Sequence, residues 1–195
     1  MTDRVLNAGI FLITLIIVVF CIFRTEHHWD LERRKKAFRF FTVQSNVLCA
    51  VGALLMCCFP EHEFAWIMKY IGTVAVTLTM LTVFLFLAPS IGPGGLKKLL
   101  AGREFFLHLI TPLLALLSFC IFERRGMSFG IALLGMISIV YYGPLYLYRI
   151  LYAPEEKRWD DFYGFNKGGK WPVAFAMMAC GTFLICMGLM GIQNL

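Results

Sequence analysis

Two stretches of this sequence place reactive side chains where apolar ones would be expected. Residues 104 to 112 read Glu-Phe-Phe-Leu-His-Leu-Ile-Thr-Pro, and His108 lies about one turn inside a run that stays apolar to Phe122. The other histidines, His27, His28 and His62, fall between apolar runs. An ionisable side chain within a membrane span is costly, so it faces a protected interior and commonly serves a function. Pro112 has no N–H to offer the carbonyl of His108, so the helix is expected to bend where the imidazole enters. The plainer reading is a packing histidine in a helix kinked for shape. The second stretch is Phe41-Thr-Val-Gln-Ser-Asn-Val-Leu-Cys49. At helical spacing Thr42, Ser45, Asn46 and Cys49 share one face, while Gln44 points elsewhere. Such a stripe either joins helices, for roughly 1 kcal/mol or less per contact, or lines a site.

A hydroxyl and an imidazole at equal depth suggest a nucleophile and its base. A threonine hydroxyl is unreactive until a neighbour takes its proton, and neutral histidine is the usual choice. Every acidic residue lies outside the apolar interiors, so no buried carboxylate is expected to orient the ring. Glu104, one turn from His108, can reach it, or it can simply favour the helix N-terminus. Asn46 or a tyrosine hydroxyl is the other candidate orienter. Ser45 is the alternative nucleophile. Tyr141 and Tyr142 precede Pro144, where a second kink is expected; either can offer a proton or an oxyanion contact, or simply pack. Thr73, Thr77, Thr79 and Thr82 are expected mostly to bond back to their own helix.

The elements that must position these residues are membrane helices. Of 195 residues 59% are apolar and 15% charged, which excludes a soluble domain. Six spans can be drawn, roughly 7–23, 40–59, 65–88, 104–122, 128–151 and 172–192, each near the length a bilayer requires. The runs lack the alternation of barrel strands, so the fold expected is an all-α six-helix bundle forming one membrane domain. The first run lacks a basic leader and a small-residue cleavage site, and reads as a retained span. The loops after spans one, three and five hold 14 of the 18 Lys and Arg residues, among them Arg24, Arg33, Arg34, Lys97, Lys98, Lys167 and Lys170; Arg4, Lys69, Arg124 and Arg125 fall on the opposite side. The basic side is expected to be cytoplasmic, with both termini outside. The net charge of +6 therefore signals orientation and not nucleic-acid binding. With this topology the polar side chains collect in the cytoplasmic half and the outer half is blander.

Other motifs carry less. The seven cysteines, Cys21 and the adjacent Cys57 and Cys58 included, show no metal or disulfide spacing, and neither a metal nor a cofactor is expected. Residues 88–95, rich in proline and glycine, read as a turn alone. Residues 164–170 fit the start of a phosphate loop, but Trp171 replaces the magnesium-binding hydroxyl and no strand precedes it. Trp171-Pro172 reads instead as an interface anchor and helix start. Lys167 and Lys170 can meet anionic headgroups or a substrate carboxylate.

Phe41-Thr42-Val-Gln-Ser-Asn46 in span two, with His108-Leu-Ile-Thr-Pro112 in span four, resembles bacterial membrane proteins related to the androgen-induced protein and the androgen-dependent TFPI-regulating protein. The likeness covers the whole chain in span count and order. It implies a six-span threonine hydrolase in a bacterial inner membrane, cleaving fatty acid esters of hydroxy fatty acids. Thr42 would be the nucleophile and His108 its partner. Two further functions fit the residues: a protein binding or transporting a lipid or small solute without hydrolysis, and an assembly role in which the polar residues join helices. The partners expected are a membrane lipid substrate and the surrounding bilayer lipids.

Overall fold

The computed structural model describes residues 2–19 and 35–195. The end of the first expected span, Cys21, His27, His28, Arg24, Arg33 and Arg34 lie outside the described residues. Six helices are long and apolar enough to cross a membrane: α1 Thr2–Val19, α2 Phe41–Cys58, α3 Glu63–Ile91, α4 Arg103–Phe122, α5 Phe129–Leu151 and α6 Trp171–Gln193. No strand occurs among the described residues. The chain is an all-α six-helix membrane bundle. Helices suit this composition because only they and closed barrels satisfy their own backbone in lipid.

The most enclosed helix is α3, and the others pack around it. Two glycines let α2 approach it at backbone distance. A Cβ on Gly72 would stand 2.6 Å from the Cys49 Cα, and one on Gly52 would stand 2.7 Å from the Lys69 Cα. Small residues are what permit such contact between membrane helices. At one end of the bundle Trp66, Tyr70 and Phe119 form an aromatic core, with ring centroids 5.5–5.6 Å apart. At the other end Phe41, Tyr142 and Tyr146 pack with Leu78, Ile139 and Met178.

Local signals set the boundaries. His62 Nδ1 accepts from the amide of Phe64 at the start of α3, and Ser128 Oγ accepts from Ile131 at the start of α5, both as N-caps. Helix α6 opens at Trp171 with Pro172 in its first turn, as expected. The irregularity expected near Pro112 takes the form of a π-helical turn over Phe106–Ile110, in which Thr111 N–H donates to the Phe106 carbonyl. Such turns are frequent at functional positions. Helix α3 carries another over Val83–Leu87 and runs on to Ile91. Residues 88–95 are therefore not merely a turn: the stretch through Ile91 is helical, and a short helix Gly95–Leu99 follows.

The aromatic end is not bland, contrary to expectation. Lys69 is fully buried inside α3, and its Nζ donates to Asn7 Oδ1 at 2.6 Å. Asn7 Nδ2 in turn donates to Glu123 Oε1 at 2.6 Å, and Ser118 Oγ donates to the same oxygen at 2.5 Å. The indole of Trp66 donates to the Glu123 carbonyl at 2.8 Å. Glu123 is only 4% exposed, a buried carboxylate just beyond the fourth expected span, although it does not orient the histidine ring. It lies beside Trp66 and Lys69, apart from His108. The Asn7 amide bridges the ammonium and the carboxylate, one end bonding each, while Glu123 Oε2 is buried with no hydrogen-bond partner among the described residues.

Candidate active site

Helix α2 presents Thr42 in its first turn, and α4 presents His108 within the π-helical turn. Thr42 Oγ1 and His108 Nε2 are 3.4 Å apart. That is longer than an optimal bond. The other ring nitrogen settles the tautomer. Nδ1 lies 2.8 Å from the carbonyl of Leu99, at the end of the short helix Gly95–Leu99. A carbonyl only accepts, so Nδ1 carries the proton and Nε2 turns its lone pair toward Thr42. The ring orienter is thus a backbone carbonyl, and not Asn46 or a tyrosine hydroxyl.

Asn46 has a different task. Its Nδ2 donates to the Thr42 carbonyl at 2.8 Å and to the Leu107 carbonyl at 3.1 Å, tying α2 to α4 beside the two reactive side chains. Ser45 turns toward α3, with its hydroxyl 2.8 Å from Thr79 Oγ1 and 3.1 Å from the Thr42 carbonyl. Gln44 points away and donates to the Phe38 carbonyl. Thr73, Thr77, Thr79 and Thr82 each bond back to the carbonyl four residues earlier, as expected. Tyr141 is 64% exposed and takes no part. Tyr142 is buried, with its hydroxyl donating to the Arg39 carbonyl at 2.6 Å. Glu104 does reach the site: its Oε2 lies 3.7 Å from His108 Nε2, while Oε1 pairs with Arg103 at 3.2 Å.

Thr42 stands between two spaces. On one side is a recess of about 30 Å³ lined by Phe41, Thr79, Thr82, Ile139, Tyr142 and Met178, room for a water molecule. On the other is a cavity of about 650 Å³ that also contains His108. Its walls are apolar near Thr42, with Phe40, Val43, Leu87 and Leu107, and its rim carries Lys36, Lys98, Arg103 and Lys167 against Glu104 and Asp161. Cations therefore outnumber carboxylates where an anionic group would lie.

The connector between α5 and α6 contributes a residue that the sequence did not single out. Asp161 anchors it by accepting from the Tyr146 hydroxyl and the amides of Phe165 and Asn166, at 2.8–2.9 Å. Tyr163 is thereby set at the N-terminus of α2, where its hydroxyl accepts from the Phe41 amide at 2.9 Å. Burial pushes the phenol up to about 12, a rise opposed by the hydrogen bond from the Phe41 amide. The only sequence signal for it was an aromatic-rich connector. Nothing at all marked Leu99, because any residue there supplies the same carbonyl. Among the described residues no group of His, Cys, Asp or Glu is placed to hold a metal. No family model, no curated protein and no solved structure matches this chain.

Proposed function

We propose that the chain is a membrane-embedded hydrolase of lipid esters, with Thr42 as nucleophile and His108 as base. The observation that carries this reading is the Thr42–His108 pair, 3.4 Å apart, with the imidazole tautomer held by the Leu99 carbonyl. His108 Nε2 takes the hydroxyl proton as Thr42 Oγ1 adds to the ester carbonyl carbon. The imidazolium then gives that proton to the departing alkoxide as the ester C–O bond breaks. Water releases the acyl group from Thr42 by the same two proton transfers in reverse. The apolar cavity wall suits a substrate entering from the bilayer. The basic rim suits an anionic group, as the free carboxylate of a fatty acid ester of a hydroxy fatty acid would provide. The reading places this end of the bundle at the cytoplasmic face of a bacterial inner membrane, in line with the excess of Lys and Arg in the connectors there.

Purified protein incubated with a fluorophosphonate probe and a fluorogenic fatty ester tests the proposal. Wild type is expected to label at Thr42 and to turn over the ester, and Thr42→Ala and His108→Ala to do neither while remaining folded. Full turnover by Thr42→Ala would sink the nucleophile assignment. The cavity of about 650 Å³ also suits a second reading, a lipid- or solute-binding protein. That reading is favoured if folded wild type binds lipid but shows neither labelling nor turnover.

A further inference from the structure

We propose that Tyr163 is the oxyanion donor of this site, an inference that rests on the hydrolase reading. Tyr163 lines both the recess and the cavity that meet at Thr42. Its hydroxyl meets the backbone amide of Phe41, the residue next to Thr42. The phenolic oxygen is occupied as an acceptor, because the Phe41 N–H at the start of α2 points to it at 2.9 Å. Accepting from a helix N-terminus polarises the O–H and leaves its proton as the group to give.

Several other nearby donors bond elsewhere. Tyr142 gives its proton to the Arg39 carbonyl. Both Asn46 Nδ2 bonds go to carbonyls. Thr79 and Thr82 bond back to their own helix, and the amides of Val43 and Gln44 donate to the Phe40 carbonyl. Tyr163 is also held rigidly, as an oxyanion donor must be. Its own amide donates to the Tyr146 hydroxyl at 3.2 Å, and its ring packs on Phe162 and Tyr146 with centroids 4.7 and 5.3 Å away.

In the step itself the Thr42 oxygen bonds to the acyl carbon, and the Thr42 proton passes to His108 Nε2. The carbonyl π pair moves onto its oxygen, and Tyr163 O–H donates to that oxygen. When the tetrahedral species collapses, the pair returns, the ester C–O bond breaks, and the alkoxide leaves with the proton from His108. Tyr163 keeps its own proton throughout.

The test compares wild type with Tyr163→Phe, using a fatty ester and a trifluoromethyl ketone lipid analogue whose adduct with Thr42 carries the oxyanion. Removing one such donor costs about 10²–10³-fold in kcat. The expected result is that loss with KM little changed, and a similar loss of affinity for the ketone. A neutral ether analogue, which forms no oxyanion, should bind both proteins alike. Equal kcat and equal ketone affinity in the two proteins, with wild type active, would overturn the role of Tyr163 and leave the hydrolase standing. An inactive wild type would overturn both. If Tyr163→Phe does not fold, fluorinated tyrosine at 163 replaces it: a shift in kcat with phenol acidity supports the role, and no shift refutes it.

Discussion

Replacing Lys69 by Met would remove a charge from the bundle interior while keeping nearly the same stem length. In the wild type the ammonium is fully buried and reaches Glu123 only through Asn7, over two bonds of 2.6 Å each. After the change Glu123 keeps its bonds from Asn7 and Ser118 but loses its counter-charge. Removing one partner of a buried pair costs about 3–5 kcal/mol. For a chain of this size that corresponds to a fall in Tm of about 6–20 °C. Because an amide separates the charges, the lower half of the range is expected. Adding Glu123→Leu should recover much of the loss, since an apolar pair often replaces a buried ionic one without penalty. Asn7 would then be the orphan, at about 1–3 kcal/mol, and a further Asn7→Leu should recover the rest. Thermal unfolding in detergent micelles reads all three variants. A single Lys69→Met variant that melts with the wild type would refute the claim that this network stabilises the bundle.

The close contact of α2 with α3 predicts that Gly72→Ala lowers Tm. Its methyl would meet the Cys49 Cα at 2.6 Å, and overpacking of this kind costs about 1–3 kcal/mol. Gly181→Ala in α6 is the control, with nothing near its added Cβ, and should melt no lower than wild type. Alkaline unfolding should report on Tyr163, whose phenol burial raises from 10.0 to about 12. A folded pKa above the unfolded one gives stability that is fully present below pH 10.0 and is lost as pH rises through about 12. Tyr163→Phe should therefore flatten part of the fall in Tm over that window, and an unchanged pH profile would contradict the phenol's burial.

What the sequence displayed was whatever carries a type signal. Six apolar runs marked the helices, because bilayer thickness fixes their length whatever the details of packing. Thr42 and His108 stood out as polar exceptions within those runs, and the structure brings them together. Asn46 was visible as a polar residue, but its choice of partner was not, since that depends on where Leu107 arrives from α4. Leu99 was invisible because its contribution is a backbone atom. The burial of Lys69 and Glu123 went unread for a related reason. Each sits near a helix end, where a charge ordinarily reaches water, and only Asn7 from a third helix turns both inward. Tyr163 lay in a connector, where aromatic residues usually mark an interface. Asp161 folds that connector back onto α2, and no local pattern announces a contact spanning 122 positions.

The sources of the site's parts also bear on its birth at the ribosome. Thr42 belongs to α2, His108 to α4, and the carbonyl that holds its ring to the segment just before α4. Tyr163, which meets the Phe41 amide next to Thr42, follows 122 residues after Phe41. Chains are made from the N-terminus onward, so Thr42 enters the bilayer as an ordinary alcohol. On the hydrolase reading it gains a base only when α4 inserts, and its last neighbour only when the connector after α5 has folded. A nascent or truncated chain would sit among lipids with an inert hydroxyl, and reactivity would arise only in the finished protein.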